Sequence, residues 1–436
     1  MACWEKSKIV AALGAVSGWP VKLLSRLPLK PWKERGGLTV SQWFLLLGAM
    51  AMLFVPHEYW NNLYAVLFAA AALVFYWRDC ASRGREPLNI ASLGAGVLVF
   101  LLAALLCTFW AESRAGNLRV TLFYLTGFTL AYLFAAQFRD RASRSKAAAV
   151  LYAALLVVSA YGLARYFFSA AEASDVPIGD EMYRRLGSTL EHGINCGEFL
   201  AMALPIALVW SLRAPNRKLR IARTVPLVLP LAAILLTYSR TGWIMLALAL
   251  IVLLWYKKKL LLLPAAALGV GALFLLPESL QARFLSMLDF SNASASGRFV
   301  LWSECLRVWR DNFLLGIGLG PENFSAAYAP YATGLLGFDP PHSNMLYLEM
   351  FLSLGLVGGA AFCVFFFGIF RRLSRARRAI PVSGERWEAQ ALIASLAGAA
   401  LGGIPEYIWF YPRILFFWCL LYGASIAVSE SEARPL

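Results

Sequence analysis

Apolar runs of about 20 residues recur along almost the whole chain, and each is long enough to cross a bilayer as a helix. They predict an all-α, polytopic membrane protein of about 12 transmembrane helices. These lie near residues 38–56, 62–77, 89–110, 117–138, 147–169, 195–212, 224–238, 241–256, 260–276, 344–370, 389–409 and 413–428. Composition agrees with the pattern. Of the 436 residues, 60% are hydrophobic and 15% charged, where a soluble domain carries about 45–50% apolar and about 25% charged residues. A soluble enzyme, a disordered protein and a secreted disulfide scaffold are excluded.

The net charge of +15 suggests a nucleic-acid partner only until its distribution is followed. With the N-terminus on the cytoplasmic side, the inside segments hold 29 of the 40 Lys and Arg residues, and the outside segments hold 16 of the 25 acids. That asymmetry is the positive-inside rule, which fixes the orientation and accounts for the basicity without nucleic acid. Both termini are then cytoplasmic. Ile9 to Trp19 is too short to span, lacks a following cleavage site, and is read as a cytoplasmic or interfacial segment. The seven cysteines show no CxxC spacing, so neither a metal site nor a disulfide framework is expected.

The expected organisation is a cytoplasmic or interfacial segment at 1–37, transmembrane helices 1–9 over 38–276, an outer loop at 277–342, and helices 10–12 with a short tail over 343–436. Three outer features depart from a plain bundle: the polar stretch Ala170 to Ile194, the tight turn Ser239 to Gly242, and the long segment Pro277 to His342. Loops of that last length are usually functional when ordered. Within it, Leu280, Phe284, Leu285 and Leu288 recur at helical spacing, as do Phe299, Trp302, Leu306 and Trp309. Two amphipathic helices on the outer face are predicted, followed by a flexible turn at Gly316, Gly318 and Gly320. Helix interiors are bland, and the unusual polar residues sit at outer ends, which points to chemistry at the outer membrane–water interface.

His342, at the junction of the long loop and the next helix, has a side chain whose ordinary pKa of about 6.5 suits proton transfer from a hydroxyl. It could equally cap or orient the helix start. Arg240 stands outside against the charge bias, and its planar fork of donors suits a phosphate as well as it suits anchoring. Arg184 and Arg185 raise the same alternatives, and Arg298 lies on an amphipathic segment where a solvated face is the simpler account. Glu198, Glu304, Glu322 and Glu406 are available carboxylates, but none forms a DxD-like metal pair. The Gly316–Gly320 string has no βαβ unit around it and is not a nucleotide motif.

With those residues in view, the chain resembles the O-antigen ligase and O-antigen polymerase superfamily of bacterial envelope glycosyltransferases. Four pieces, in order, carry the resemblance: GSTLEHGINCGEF (187–199), LTYSRTGW (236–243), SGRFVLWSECLRVWRDNFLLGIGLGPENF (296–324) and HSNMLYLEMFLSLGLVGG (342–359). The resemblance implies a donor glycan on undecaprenyl pyrophosphate, used on the periplasmic face of the inner membrane without metal, nucleotide sugar or cofactor. It implies His342 as the base for an acceptor hydroxyl and Arg240 as a pyrophosphate ligand, with Arg184 or Arg185 and Arg298 as further ligands. Asn195, His192 and Glu322 are supporting members; the stretch at 187–199 departs from the family's usual Pro-Asn pattern, which leaves Asn195 and His192 as alternatives. Attack opposite the leaving group would invert the anomeric centre.

The implied activity is transfer of a lipid-linked glycan to a glycolipid or glycan acceptor, the lipid A core for a ligase. A repeat-unit polymerase using the same donor is the nearest rival, and a protein O-oligosaccharyltransferase is the next. A flippase or transporter would need a polar path across the membrane. A chain-length regulator is a further partner that such chemistry allows.

Overall fold

The computed structural model of the protein describes residues 8–169, 175–178, 181–287, 293–380 and 386–431. The chain begins with α1 (Lys8–Leu24), α2 (Val40–Phe54), α3 (Asn62–Ser82), α4 (Ala95–Leu106), α5 (Arg114–Gln137) and α6 (Arg141–Phe168). A short hairpin follows, in which Asp175–Ile178 pairs antiparallel with Glu181–Arg184. Next come α7 (Gly193–Leu212), α8 (Arg217–Leu236, with one 3-10 turn inside), α9 (Arg240–Lys257) and α10 (Leu262–Leu273). The long loop supplies α11 (Glu278–Leu285), α12 (Ala293–Asp311) and α13 (Pro321–Tyr328), and the chain closes with α14 (Leu346–Ala379), α15 (Arg386–Gly402) and α16 (Pro412–Ser431).

Helix starts follow the polar residues that precede the apolar runs. Thr39 caps α2 in a reciprocal capping box with Gln42, and Asn61, Ser113, Asp140, Asn216 and Ser239 each accept an early amide of the next helix. Among the described residues, eight helices (α3, α5–α9, α14 and α16) are long and apolar enough to span a membrane. The remaining predicted segments also carry helices, but α2, α4, α10 and α15 are shorter. The protein is an all-α, multi-pass membrane protein.

Three departures from expectation matter for the site. The segment predicted as one helix over 389–409 ends at Gly402, and residues 403–411 form an irregular, largely buried crossing. In α12 the buried stripe is Leu301, Cys305 and Val308, while Phe299 and Leu306 of the predicted face are more than half exposed. Leu288 lies outside the described residues.

The third departure is a broken membrane helix. Gly355, inside α14, has φ 62° and ψ −164°, a conformation open only to glycine. The turn expected to be flexible is lodged in this break: Ile317 N and Gly318 N donate to Leu352 O and Ser353 O, each at 2.9 Å, and Leu356 N donates to Phe313 O at 2.7 Å. The groups freed by the break are thus re-satisfied within the protein, as a bilayer requires. A Cβ on Gly355 would sit 2.2 Å from Leu314 O. Gly355→Ala is therefore expected to cost roughly 2–4 kcal/mol, read as a lower apparent melting temperature of the detergent-solubilised protein.

The helices run between two chemically distinct ends. At one, Lys146 reaches Gly37 O, Arg139 meets Glu430, and Arg144 and Arg213 share Glu388. This is the basic end. At the other, Arg413 donates to Val55 O and Thr189 O and Arg165 pairs with Glu58; the hairpin and the long loop follow helices that finish here.

Candidate active site

The Ser239–Gly242 turn is the seat of the first half of the site. Helices α7 and α9 meet there backbone to backbone: a Cβ on Gly242 would lie 2.9 Å from the carbonyl carbon of Gly197. That contact needs glycine on both sides, and it sets the start of α9 against the first turns of α7. Helix α11 docks on the same turn, with Phe284 stacked on Trp243 at 4.4 Å and Ser279 Oγ 3.0 Å from the Tyr238 hydroxyl.

Three arginines are fastened around this turn by backbone carbonyls. Arg185 Nε donates to Thr237 O (2.8 Å), Arg283 Nε to Tyr238 O (3.2 Å), and Arg240 Nη1 to Ser286 O (3.2 Å). Arg298, from α12, lies close enough to join them electrostatically. Burial, followed by the charges of Arg240, Arg185 and Arg298, pushes the Arg283 guanidinium down to about 10. Arg185 is also lowered by burial; Glu406 opposes that shift and Arg240 reinforces it.

Glu406 is the carboxylate facing this group, 3.5 Å from Arg298 Nη2. Its own carboxyl is raised by burial, against the pull of Arg298 and Arg185. Four guanidinium groups from four segments thus share a site, in which Glu406 is paired with Arg298. Gathering like charges in a partly buried place is costly without a compensating anion.

Glu406 and Tyr407, adjacent in the 403–411 crossing, join this half of the site to the second. Tyr407 and Phe410 pack on the His342 imidazole with centroids 5.5 and 4.3 Å away. His342 is 8% exposed. The loop carrying it is pinned on both sides: Trp302 Nε1 donates to Ser343 O (3.0 Å), and Ser343 N donates to a Glu349 carboxylate oxygen (2.8 Å). Asn344, at φ 54°, turns its amide back onto His342 Nδ1 at 3.1 Å. With that lone pair engaged, the neutral ring carries its hydrogen on Nε2. A cavity of about 190 Å³, bordered by His342, Arg119, Glu349, Tyr407 and Phe410, opens beside the ring.

Burial lowers the His342 imidazole from 6.5 to about 4. Between those values an unfolded chain takes a proton that the folded ring refuses, so acidification through this window destabilises the fold. The ring itself stays neutral until about pH 4. A rate that depends on neutral His342 should therefore hold its value from pH 7 through 6.5 and bend down only near pH 4. A kcat/KM profile with its acidic limb at 6.5 would contradict this.

The other sequence candidates separate. Arg184 turns away from its neighbour Arg185, donating to Arg165 O (3.3 Å) and lying 5.9 Å over the Tyr166 ring. His192, at the start of α7, is 43% exposed beside Glu191, its ring 6.0 Å from Tyr411. Asn195 is buried and donates to Leu190 O (3.1 Å), leaving its Oδ1 without a hydrogen-bond partner. Glu198, one turn on, is buried with both oxygens unpartnered. Glu322 holds Arg119 at 2.6 Å on the surface and so bears on the His342 cavity through that arginine. Glu304 is tied up by Thr333 and Tyr328 within the loop.

Sequence reasoning missed Arg283 and Arg119. Both stand on the acid-rich side of the charge distribution, the same signal that singled out Arg240, and applying it to every outer arginine would have included them.

Comparison with known proteins gives one family. The model described as O-antigen ligase matches residues 225–363, a stretch that holds Arg240, Arg283, Arg298 and His342. No curated protein matches the chain.

Proposed function

We propose, from that family match and from the geometry around it, that the protein transfers a glycan from undecaprenyl pyrophosphate to an acceptor sugar hydroxyl. The match to the O-antigen ligase family model supports an O-antigen ligase- or polymerase-type membrane glycosyltransferase acting on lipid-linked glycans. The observation that supports the finer reading is the convergence of Arg185, Arg240, Arg283 and Arg298 on one site. A pyrophosphate is the anion this arrangement suits: guanidinium forks engage phosphate oxygens in pairs and neutralise the leaving group as the glycosidic bond breaks. Pyrophosphate is already a weak base, so it needs charge neutralisation more than a proton.

On the other side of the Glu406–Tyr407 bridge, His342 takes the proton of the acceptor hydroxyl. For that its hydrogen must sit on Nδ1 and its lone pair on Nε2, so the Asn344 amide lets go when acceptor binds. Attack from the face opposite the pyrophosphate inverts the anomeric centre, and NMR of the product would show retained configuration if this geometry is wrong. The bundle at 38–276 and 343–436 then forms the membrane part, and 277–342 a periplasmic cap over the site. The positive-inside bias supports a cytoplasmic basic end and a site at the periplasmic face of the inner membrane.

The lipid A core is the acceptor we favour. The test is the glycolipid profile of a strain lacking the protein. Full-length polymer stranded on the lipid carrier supports the ligase; a core bearing only single repeat units makes the protein the polymerase instead.

A further inference from the structure

A second cavity, about 400 Å³ against about 190 Å³ at His342, lies toward the basic end of the bundle. Its walls come from α2, α6, α7 and α16 and are hydrocarbon: Leu46, Leu53, Leu151, Ile206, Phe417 and Leu420 among them. Water in such a chamber would find no polar partners along its depth. Its volume is that of a ligand site, for which about 300–1,000 Å³ is usual.

The polar groups of the cavity are gathered at its basic mouth, and they are unbalanced. Arg141, Arg144, Arg213 and Arg223 stand there with one carboxylate, Glu388. Arg144 and Arg213 share that carboxylate, at 2.8 and 3.3 Å. Arg141 and Arg223 have no carboxylate partner among the described residues. Arg223 is nonetheless held in place, its guanidinium 3.9 Å over the Trp210 ring, while Trp210 Nε1 donates to Ser145 Oγ at 3.2 Å. The mouth therefore has two uncommitted cations, one of them prepositioned, above an apolar chamber.

We propose that this cavity binds one anionic phospholipid of the leaflet at the basic end, with one of its two acyl chains in the chamber and its phosphodiester between Arg141 and Arg223. A zwitterionic lipid fits the chamber equally well, but its ammonium group would add to the positive charge already at the mouth. The site is separate from the arginine cluster and from His342, and it does not depend on the reaction assigned to them.

The experiment is native mass spectrometry of the full-length protein released from vesicles of equal phosphatidylglycerol and phosphatidylethanolamine. One phosphatidylglycerol should stay bound in preference to phosphatidylethanolamine. With about fivefold expected for each arginine near a phosphate, the Arg141→Gln/Arg223→Gln protein should retain about 25-fold less. Ala148→Trp, which fills the chamber without altering charge, should also expel the lipid. Lys218→Gln, a basic residue at the same end that does not line the cavity, should leave retention unchanged. Equal retention of the two phospholipids would overturn the proposal. So would undiminished phosphatidylglycerol in either cavity variant of monodisperse protein, or a retained mass matching a polyprenyl phosphate from the cells.

Discussion

Replacing His342 with alanine should reduce glycan transfer by about 10²–10⁴-fold, the usual contribution of a positioned proton acceptor. The protein should remain folded, because the ring is held mainly by aromatic neighbours and its loop is separately pinned by Trp302 and Glu349. The informative companion is His342→Gln. A glutamine amide can donate a hydrogen bond, as an imidazole N–H can, but it cannot take a proton. If His342 is the base, the glutamine protein is as inactive as the alanine protein. If it keeps more than about a tenth of the wild-type rate, the imidazole acts as a donor, and the proton acceptor must be sought elsewhere. The assay is single-turnover transfer in vesicles with purified lipid-linked donor.

The second large effect is expected in donor binding. Losing one charge-assisted fork costs about 10- to 100-fold in affinity, so Arg240→Gln should bind a pyrophosphate-linked donor that much more weakly. Arg240→Lys should fall between glutamine and wild type, because a point charge replaces only part of a planar fork. Arg283→Gln should behave like Arg240→Gln, although nothing in the local sequence marks it as strongly. Binding should weaken with added salt and with inorganic pyrophosphate, both of which compete for the same guanidinium groups. Isothermal titration with a short-chain polyprenyl-pyrophosphate glycan would decide it. Equal affinity in wild type and Arg240→Gln would detach the arginine cluster from the donor.

Much of the membrane architecture was legible because span length and charge bias depend on composition averaged over many residues. Every predicted span carries a helix, and the capping residues that start them are visible by eye. What was not legible depended on single residues and on distant contacts. Residues 403–411 are apolar enough to continue a helix, yet they are pulled into an irregular crossing whose Gly403 and Glu406 carbonyls accept the first amide of α14. That crossing places Glu406 beside Arg298 and Tyr407 beside His342, and no local pattern announces it. Likewise, Arg184 and Arg185 are indistinguishable as letters; the carbonyls of Arg165 and Thr237 separate them. The face of α12 was misjudged because that helix is apolar on more than one side, and its partner, α14, lies some 50 residues away in sequence.

The break in α14 also limits how substrates can arrive. The strand of loop that leads from α12 to α13 is spliced into that helix by three backbone hydrogen bonds, and the Asn323 side chain fastens its far end to Ser113 at both amide and carbonyl. Lifting this roof off the bundle would strand those groups in hydrocarbon, at several kcal/mol each. The roof therefore has no hinge at that edge. If the donor is the lipid-linked glycan proposed above, it must slide in from the side, between helices, with the glycan trailing outward and the lipid tail never leaving the bilayer.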